Sequence, residues 1–228
     1  GAESWYRQAL TVEEAVYGPD DPHLAIGLAD LAEVVRLQGR SQEAATLLKR
    51  ALGLVTVDAA PDDLQAARLR FALGVALAAT GADAAAREQF DRSLATRERL
   101  LGSQHADVAA VLIELAALER RRGTDEAALA LLTRALMIQE AQLGPASPKL
   151  APILNNLAVL KIEAGAVQEG QALLARAVQL DSASPHLPPD LARTLDNQSA
   201  VLAAQGQAAE AEAIRLRALE LRRRAEAP

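Results

Sequence analysis

The 228-residue chain has no cysteine and only three histidines, His23, His105 and His186. Disulfides and thiolate chemistry are thereby excluded, and the redox state of the compartment leaves no mark. A structural zinc site has no ligand set to draw on. Aromatic residues make up 2% of the chain, less than a compact globular domain of this size spends on its core. A core built on Ala and Leu instead implies thin, closely packed helices. Long hydrophobic runs are missing as well. The longest strictly apolar run is Phe71 to Ala79, whereas a membrane-spanning helix needs roughly 20 such residues. The expectation is therefore no membrane insertion. No signal peptide is visible, and the chain is expected in the cytoplasm. It opens on Gly1 rather than Met, so a removed leader or a missing flanking domain stays open. Basic excess is absent too: the net charge is −6 and the isoelectric point about 5.2. That argues against a nucleic-acid partner, which needs a basic surface to displace counterions from phosphates. Lys stands only at 49, 149 and 161 while Arg, Ala and Leu are plentiful, a composition expected of a GC-rich bacterial genome.

What is present is a repeat. Gly39, Gly81, Gly123, Gly165 and Gly206 sit in matching contexts, at intervals of 42, 42, 42 and 41 residues. Before each glycine, apolar residues recur three and four apart: Leu28, Leu31 and Val35; Leu73 and Leu77; Leu112 and Leu115; Leu154 and Leu157. That spacing lines one face of a helix. A glycine just past a helix end takes up the left-handed conformation that other residues resist. Each of these therefore reads as the turn between two antiparallel helices, A and B.

Small residues fix the register. Seven before each glycine stand Ala32, Gly74, Ala116, Ala158 and Ser199; five after it Ala44, Ala86, Ala128, Gly170 and Ala211; twelve after it Ala51, Ser93, Ala135, Ala177 and Ala218. Helix axes approach to the short end of the usual range of about 8–10 Å only where small side chains sit at the crossing. Asp21-Pro22 and Ser147-Pro148 place an N-cap residue ahead of a proline, and Pro188-Pro189 plays a similar part.

Small residues at these three offsets, with Leu one residue before the first of them, resemble the tetratricopeptide repeat (TPR). The segment YGPDDPHLAIGLADLAEVVRLQGRSQEAATLLKRAL is similar to the 42-residue form found in kinesin light chain, and LNNLAVLKIEAG, residues 154–165, resembles that form's helix A. HEAT and armadillo repeats share a period of roughly 40–47 residues but not this set of small residues. The resemblance implies an all-α fold, a right-handed α-solenoid of antiparallel helix pairs forming one domain over residues 1–228. Its repeats are expected at 22–63, 64–105, 106–147, 148–188 and 189–228, preceded by a lone helix B within 2–21. Some positions depart from the pattern: Arg70 stands where other repeats have Leu, Glu119 and Lys161 replace apolar residues, and Gln198 replaces a Leu.

No catalytic constellation emerges. The histidines fall in inter-repeat loops at unequal offsets, and Ser103 and Ser184 near two of them lack a third group to orient a base. No H-E-x-x-H, P-loop or dinucleotide fingerprint is present. The expectation is a non-enzyme without cofactor or metal. In the family that the chain resembles, helices A line a concave face on which partner peptides lie. Carried over, this nominates Asp30, Arg36, Phe71, Glu114, Arg120, Asn155, Asn156, Arg193 and Asn197. Asn is a poor helix former, so three in mid-helix need a reason. An amide offers donor and acceptor to the backbone of an extended peptide; the alternative is bonding to neighbouring helices or facing water. Phe71 reads either as a binding anchor or as packing between repeats. Arg120-Arg121-Arg122 and Arg222-Arg223-Arg224 complement helix dipoles, with an acidic ligand as the other reading for the first run. The expected function is a scaffold or adaptor that binds a protein or peptide partner. The alternative is a ligand-reading sensor domain of a longer signalling protein. The lone N-terminal helix B, with Trp5, Tyr6, Ala9 and Leu10, is expected to leave an apolar edge that upstream repeats, a second copy or an irregular cap would cover; upstream repeats are the favoured reading, and the isolated chain is then expected to associate through this end.

Overall fold

The structure, a computed structural model, describes residues 1–56, 63–182 and 191–226. Among them are eleven α-helices, one 3₁₀ turn and no strand. The chain divides into two compact units, Gly1–Arg122 and Gly123–Pro228. The first holds α1 (Ala2–Tyr17), α2 (Leu24–Leu37), α3 (Ser41–Thr56), α4 (Leu64–Ala79), α5 (Asp83–Leu101) and α6 (Ala106–Arg121). The second holds α7 (Asp125–Leu143), a 3₁₀ turn (Pro148–Leu150), α8 (Ala151–Glu163), α9 (Val167–Ser182), α10 (Leu191–Ala204) and α11 (Ala208–Glu226). Within each unit a helix packs mainly on its neighbours in sequence, the mark of a repeat array.

The turn glycines behave as their spacing implies. Gly39 has φ of 82°. Its N–H donates to the Arg36 carbonyl at 2.9 Å, and the next N–H, of Arg40, reaches back to the Val35 carbonyl at 3.1 Å. This pair of bonds satisfies the last carbonyls of α2 and reverses the chain. The same pair recurs around Gly81, Gly165 and Gly206. Helix starts are less uniform. Asp63 caps α4 by accepting from the Ala66 N–H, and His105 caps α6 through Nδ1, 3.1 Å from the Asp107 N–H. Asp21 accepts from the His23 N–H at 2.8 Å, just ahead of α2. Ser147 makes no side-chain cap, so the proline after it starts the 3₁₀ turn unaided. His186 and Pro188-Pro189 lie outside the described residues.

Every small residue at the three marked offsets is buried. In the second unit Ala177 sits among Leu150, Ala151, Leu154 and Leu180, while Ala158 packs with Leu174 and Val201. In the first unit Gly74 is the tightest point: a Cβ there would lie 2.5 Å from Cε1 of Phe90, a fully buried ring. The departures from the pattern are accommodated individually. Glu119 is buried and pairs with Arg87, with Arg122 at 3.6 Å. Lys161 swings to Glu169 at 2.8 Å. Arg70 is buried. No described helix is long and apolar enough to cross a membrane.

Helix α1 is held on two sides. Leu10 is buried against the Gly27 backbone, and Arg7–Glu43, Arg40–Glu3 and Arg50–Glu14 pair across to α3 and its turn at 2.5, 2.5 and 2.6 Å. Its other side stays open: Trp5 is 75% exposed, and Val12 and Val16 are exposed as well.

Candidate functional site

Helices α2, α4 and α6 are the first helices of successive repeats in the first unit, and they meet around a cavity of about 360 Å³. Its walls are apolar: Ala29 and Ala32 from α2, Leu48 from α3, and Phe71, Ala72 and Val75 from α4. Its charged lining is Glu33 and Arg36 from α2 and Glu114 from α6. Three of the sequence-nominated residues, Arg36, Phe71 and Glu114, therefore come together. Asp30 is exposed on α2 and Arg120 exposed on α6, neither lining the cavity.

The charges of this site are not equivalent. Arg36 grips Glu33 with two bonds of 2.7 Å, which holds the Glu33 carboxyl below its ordinary range and raises the guanidinium. Arg121 grips Asp83 in the same two-point fashion, at 2.9 and 2.7 Å. Such forked pairs are the strongest ordinary ion pairs. Glu114 is left over. It makes no hydrogen bond or ion pair among the described residues, and it is half-buried. Burial pushes its carboxyl above the ordinary glutamate range, and the charges of Arg121 and Arg36 only partly oppose that. The site thus holds one carboxyl group that has lost part of its water without gaining a partner.

Phe71 resolves into both of its readings. It lines the cavity, and its ring also packs 5.8 Å from the Phe90 ring, tilted at 50°. The Arg97 guanidinium lies 4.8 Å over the Phe71 ring and donates to the Asp107 carbonyl at 2.7 Å. Burial lowers the Arg97 pKa. A cation over an aromatic face adds about 0.5–2 kcal/mol, so Phe71 is oriented from behind. Nothing in the sequence spacing marks Arg97 for this part, because it lies on the second helix of its pair.

In the second unit the three asparagines divide. Asn155 of α8 is fully buried, and its Oδ1 accepts from Nδ2 of Asn197 on α10 at 2.9 Å. Its own Nδ2 has no hydrogen-bond partner. Asn156 and Asn197 are half-buried. Exposed Arg193 donates to Asn156 Oδ1 at 3.4 Å, a long contact. Asn155 therefore offers no surface, and its part is to position Asn197. Asp30, Ala72, Glu114, Asn156 and Asn197 each stand nine residues before a turn glycine; all five reach the surface at least in part. One residue earlier, Asn155 is turned by about 100° around its helix; its equivalents Ala29, Phe71, Ile113 and Asp196 stay half-buried, so its burial comes from local packing. A separate hollow of about 610 Å³ lies between the turns after α8 and α10, lined by Ile162, Val167, Glu169, Val201 and Gln205. Its one carboxylate, Glu169, is already paired with Lys161. Among the described residues no cluster of His, Asp and Glu could hold a metal ion.

Known proteins give the array its family. The tetratricopeptide repeat profile matches residues 1–56 and 65–141, more than half of the chain. No curated protein matches significantly. Among solved structures, BtubC (BKLC) from P. vanneervenii superposes with a TM-score of 0.81 at 21% identity, over 100% of this chain and 91% of that one. A putative kinesin light chain of nearly identical TPR-like repeats from Podospora anserina gives 0.73 at 22% identity, over 91% and 99%. MamA gives 0.59 at 16%, over 86% and 98%. At these identities the likeness is one of fold: an all-α helical-repeat solenoid. The chain belongs to the tetratricopeptide repeat family.

Proposed function

We propose that the chain is a non-enzymatic interaction scaffold that holds a segment of a partner protein against the first helices of its repeats. The cavity between α2, α4 and α6 is the observation that carries this reading. It brings apolar walls and a few fixed charges from three successive repeats into one place, which suits side chains projecting from an extended or helical segment. The half-buried amides of Asn156 and Asn197 supply further polar contacts in the second unit. Membership of the tetratricopeptide repeat family supports this reading. The test is amide hydrogen exchange on the full chain, free and with a peptide selected from a random dodecapeptide library. Protection is expected on α2, α4 and α6, or on α8 and α10. Protection confined to α3, α5, α9 or α11 overturns the reading.

A further inference from the structure

We infer that the cavity between α2, α4 and α6 selects a partner segment carrying a lysine or arginine beside an apolar side chain, with the basic group seated on Glu114. This rests on the scaffold reading and adds the chemistry of the partner.

The argument is one of charge that is present and uncompensated. Two carboxylates, Glu33 and Glu114, and one guanidinium, Arg36, line the cavity, while Arg121 acts on Glu114 from beside it and is paired with Asp83. Both arginines already have every geometric reason to stay where they are, since each forms a two-point pair with another carboxylate. Turning either towards Glu114 would break one forked pair to make another. The surplus charge therefore resides on Glu114, which has no hydrogen bond or ion pair among the described residues. A carboxylate that is half-buried and left unpaired costs free energy that a bound cation recovers in part. An incoming anion meets the opposite situation, because Arg36, the guanidinium in the lining, and Arg121 beside it are already paired.

The walls determine what kind of cation fits. Ala29, Ala72, Val75 and Phe71 surround the charge with apolar surface. Lysine and arginine carry aliphatic stems that pack along such surface while the head reaches the carboxylate. An apolar neighbour in the ligand covers the remaining wall. A small hydrated inorganic cation gains nothing from these walls.

The experiment selects dodecapeptides from a random displayed library against the full chain, then measures the best binders by fluorescence anisotropy. Selected sequences are expected to be enriched in Lys or Arg next to Leu, Met or Phe. Binding is expected to weaken by about 30-fold in Glu114→Gln, by less in Glu114→Asp, which keeps the charge, and with added salt. Circular dichroism checks that both variants fold. Neutral or acidic peptides that protect α2, α4 and α6 and are indifferent to Glu114→Gln overturn this inference and leave the scaffold reading standing. Basic peptides indifferent to Glu114→Gln also overturn it. A library that yields no binder, or binders that protect only the second helices, overturns the scaffold reading itself.

Discussion

Glu114 is a residue whose free state works against the fold. Burial raises its carboxyl pKa above the unfolded value. A carboxylate with a raised folded-state pKa contributes most below the unfolded pKa and loses that contribution as pH rises through the folded one. Glu114→Gln is therefore expected to stabilise the chain at neutral pH, by less than about 1 kcal/mol given its partial exposure. The gain should vanish once the pH falls below the ordinary glutamate range. Thermal unfolding of both forms across pH 3–8 checks the sign; equal gains at all pH values would assign the effect to packing rather than charge. The asparagine pair allows a second test at this scale. A double-mutant cycle over Asn155→Ala and Asn197→Ala is expected to give a coupling of about 0.5–1.5 kcal/mol, the net worth of one hydrogen bond. Asn155→Ala alone should cost little, because it removes a buried N–H group that has no partner and improves helix propensity. The sequence located these residues on the first helices but not their states. Asn155 and Asn156 are adjacent in sequence, and only the packing of α10 against α8 decides which amide is buried. Likewise the pairing of Arg36 and Arg121 elsewhere, which singles out Glu114, depends on side-chain geometry that no spacing records.

The helix pair is the scale at which the sequence was most readable. Small residues at a helix crossing are a requirement of distance, so they repeat with the 42-residue period and stand out against any composition. A second series carries the same period: Gly18, Gly102 and Gly144, all with positive φ, end α1, α5 and α7. Its member for the repeat between would fall at residue 60, where the chain has Ala, outside the described residues. The crossing of α4 on α5 departs from its neighbours in a compensated way. Ala32 with Leu48, and Ala158 with Leu174, occupy the positions that Gly74 and Phe90 take here. The larger ring is admitted because the facing residue has no Cβ. Gly74→Ala alone should overpack the crossing and cost about 1–3 kcal/mol, against about 1 kcal/mol regained in helix propensity. Phe90→Leu alone should leave a cavity and cost about 1–3 kcal/mol. Together they restore the Ala–Leu pair of the first, third and fourth repeats, so the double variant is expected to be more stable than the sum of the singles by about 0.5–3 kcal/mol, the range of coupled neighbours. Additive denaturant midpoints would mean that the ring and the glycine do not constrain each other.

A repeat array buries each repeat against the next, so a helix with a neighbour on one side alone keeps its other face open. Helix α1 has such a face. One side of α1 is occupied by Leu10 against α2 and by ion pairs to α3. On the other, Trp5, Ala9, Val12 and Val16 follow one another at helical spacing and all are exposed. Fully burying a Val side chain is worth about 1.5–3 kcal/mol, and Trp offers still more area. The exposed face is therefore large enough to drive weak association, while the cost of immobilising two chains keeps it modest, with a dissociation constant between about 1 µM and 1 mM. A second copy of the chain is the expected occupant in pure solution. Sedimentation velocity should show a concentration-dependent rise in mass, and Trp5→Glu with Val12→Glu should abolish it without lowering the melting temperature, since neither side chain is buried in the free chain. Trp5 is the only tryptophan, so its emission reports the same event: it should shift to shorter wavelength with concentration as the ring leaves water. A monodisperse monomer at high concentration, with long-wavelength emission throughout, would show that this edge is tolerated as exposed surface.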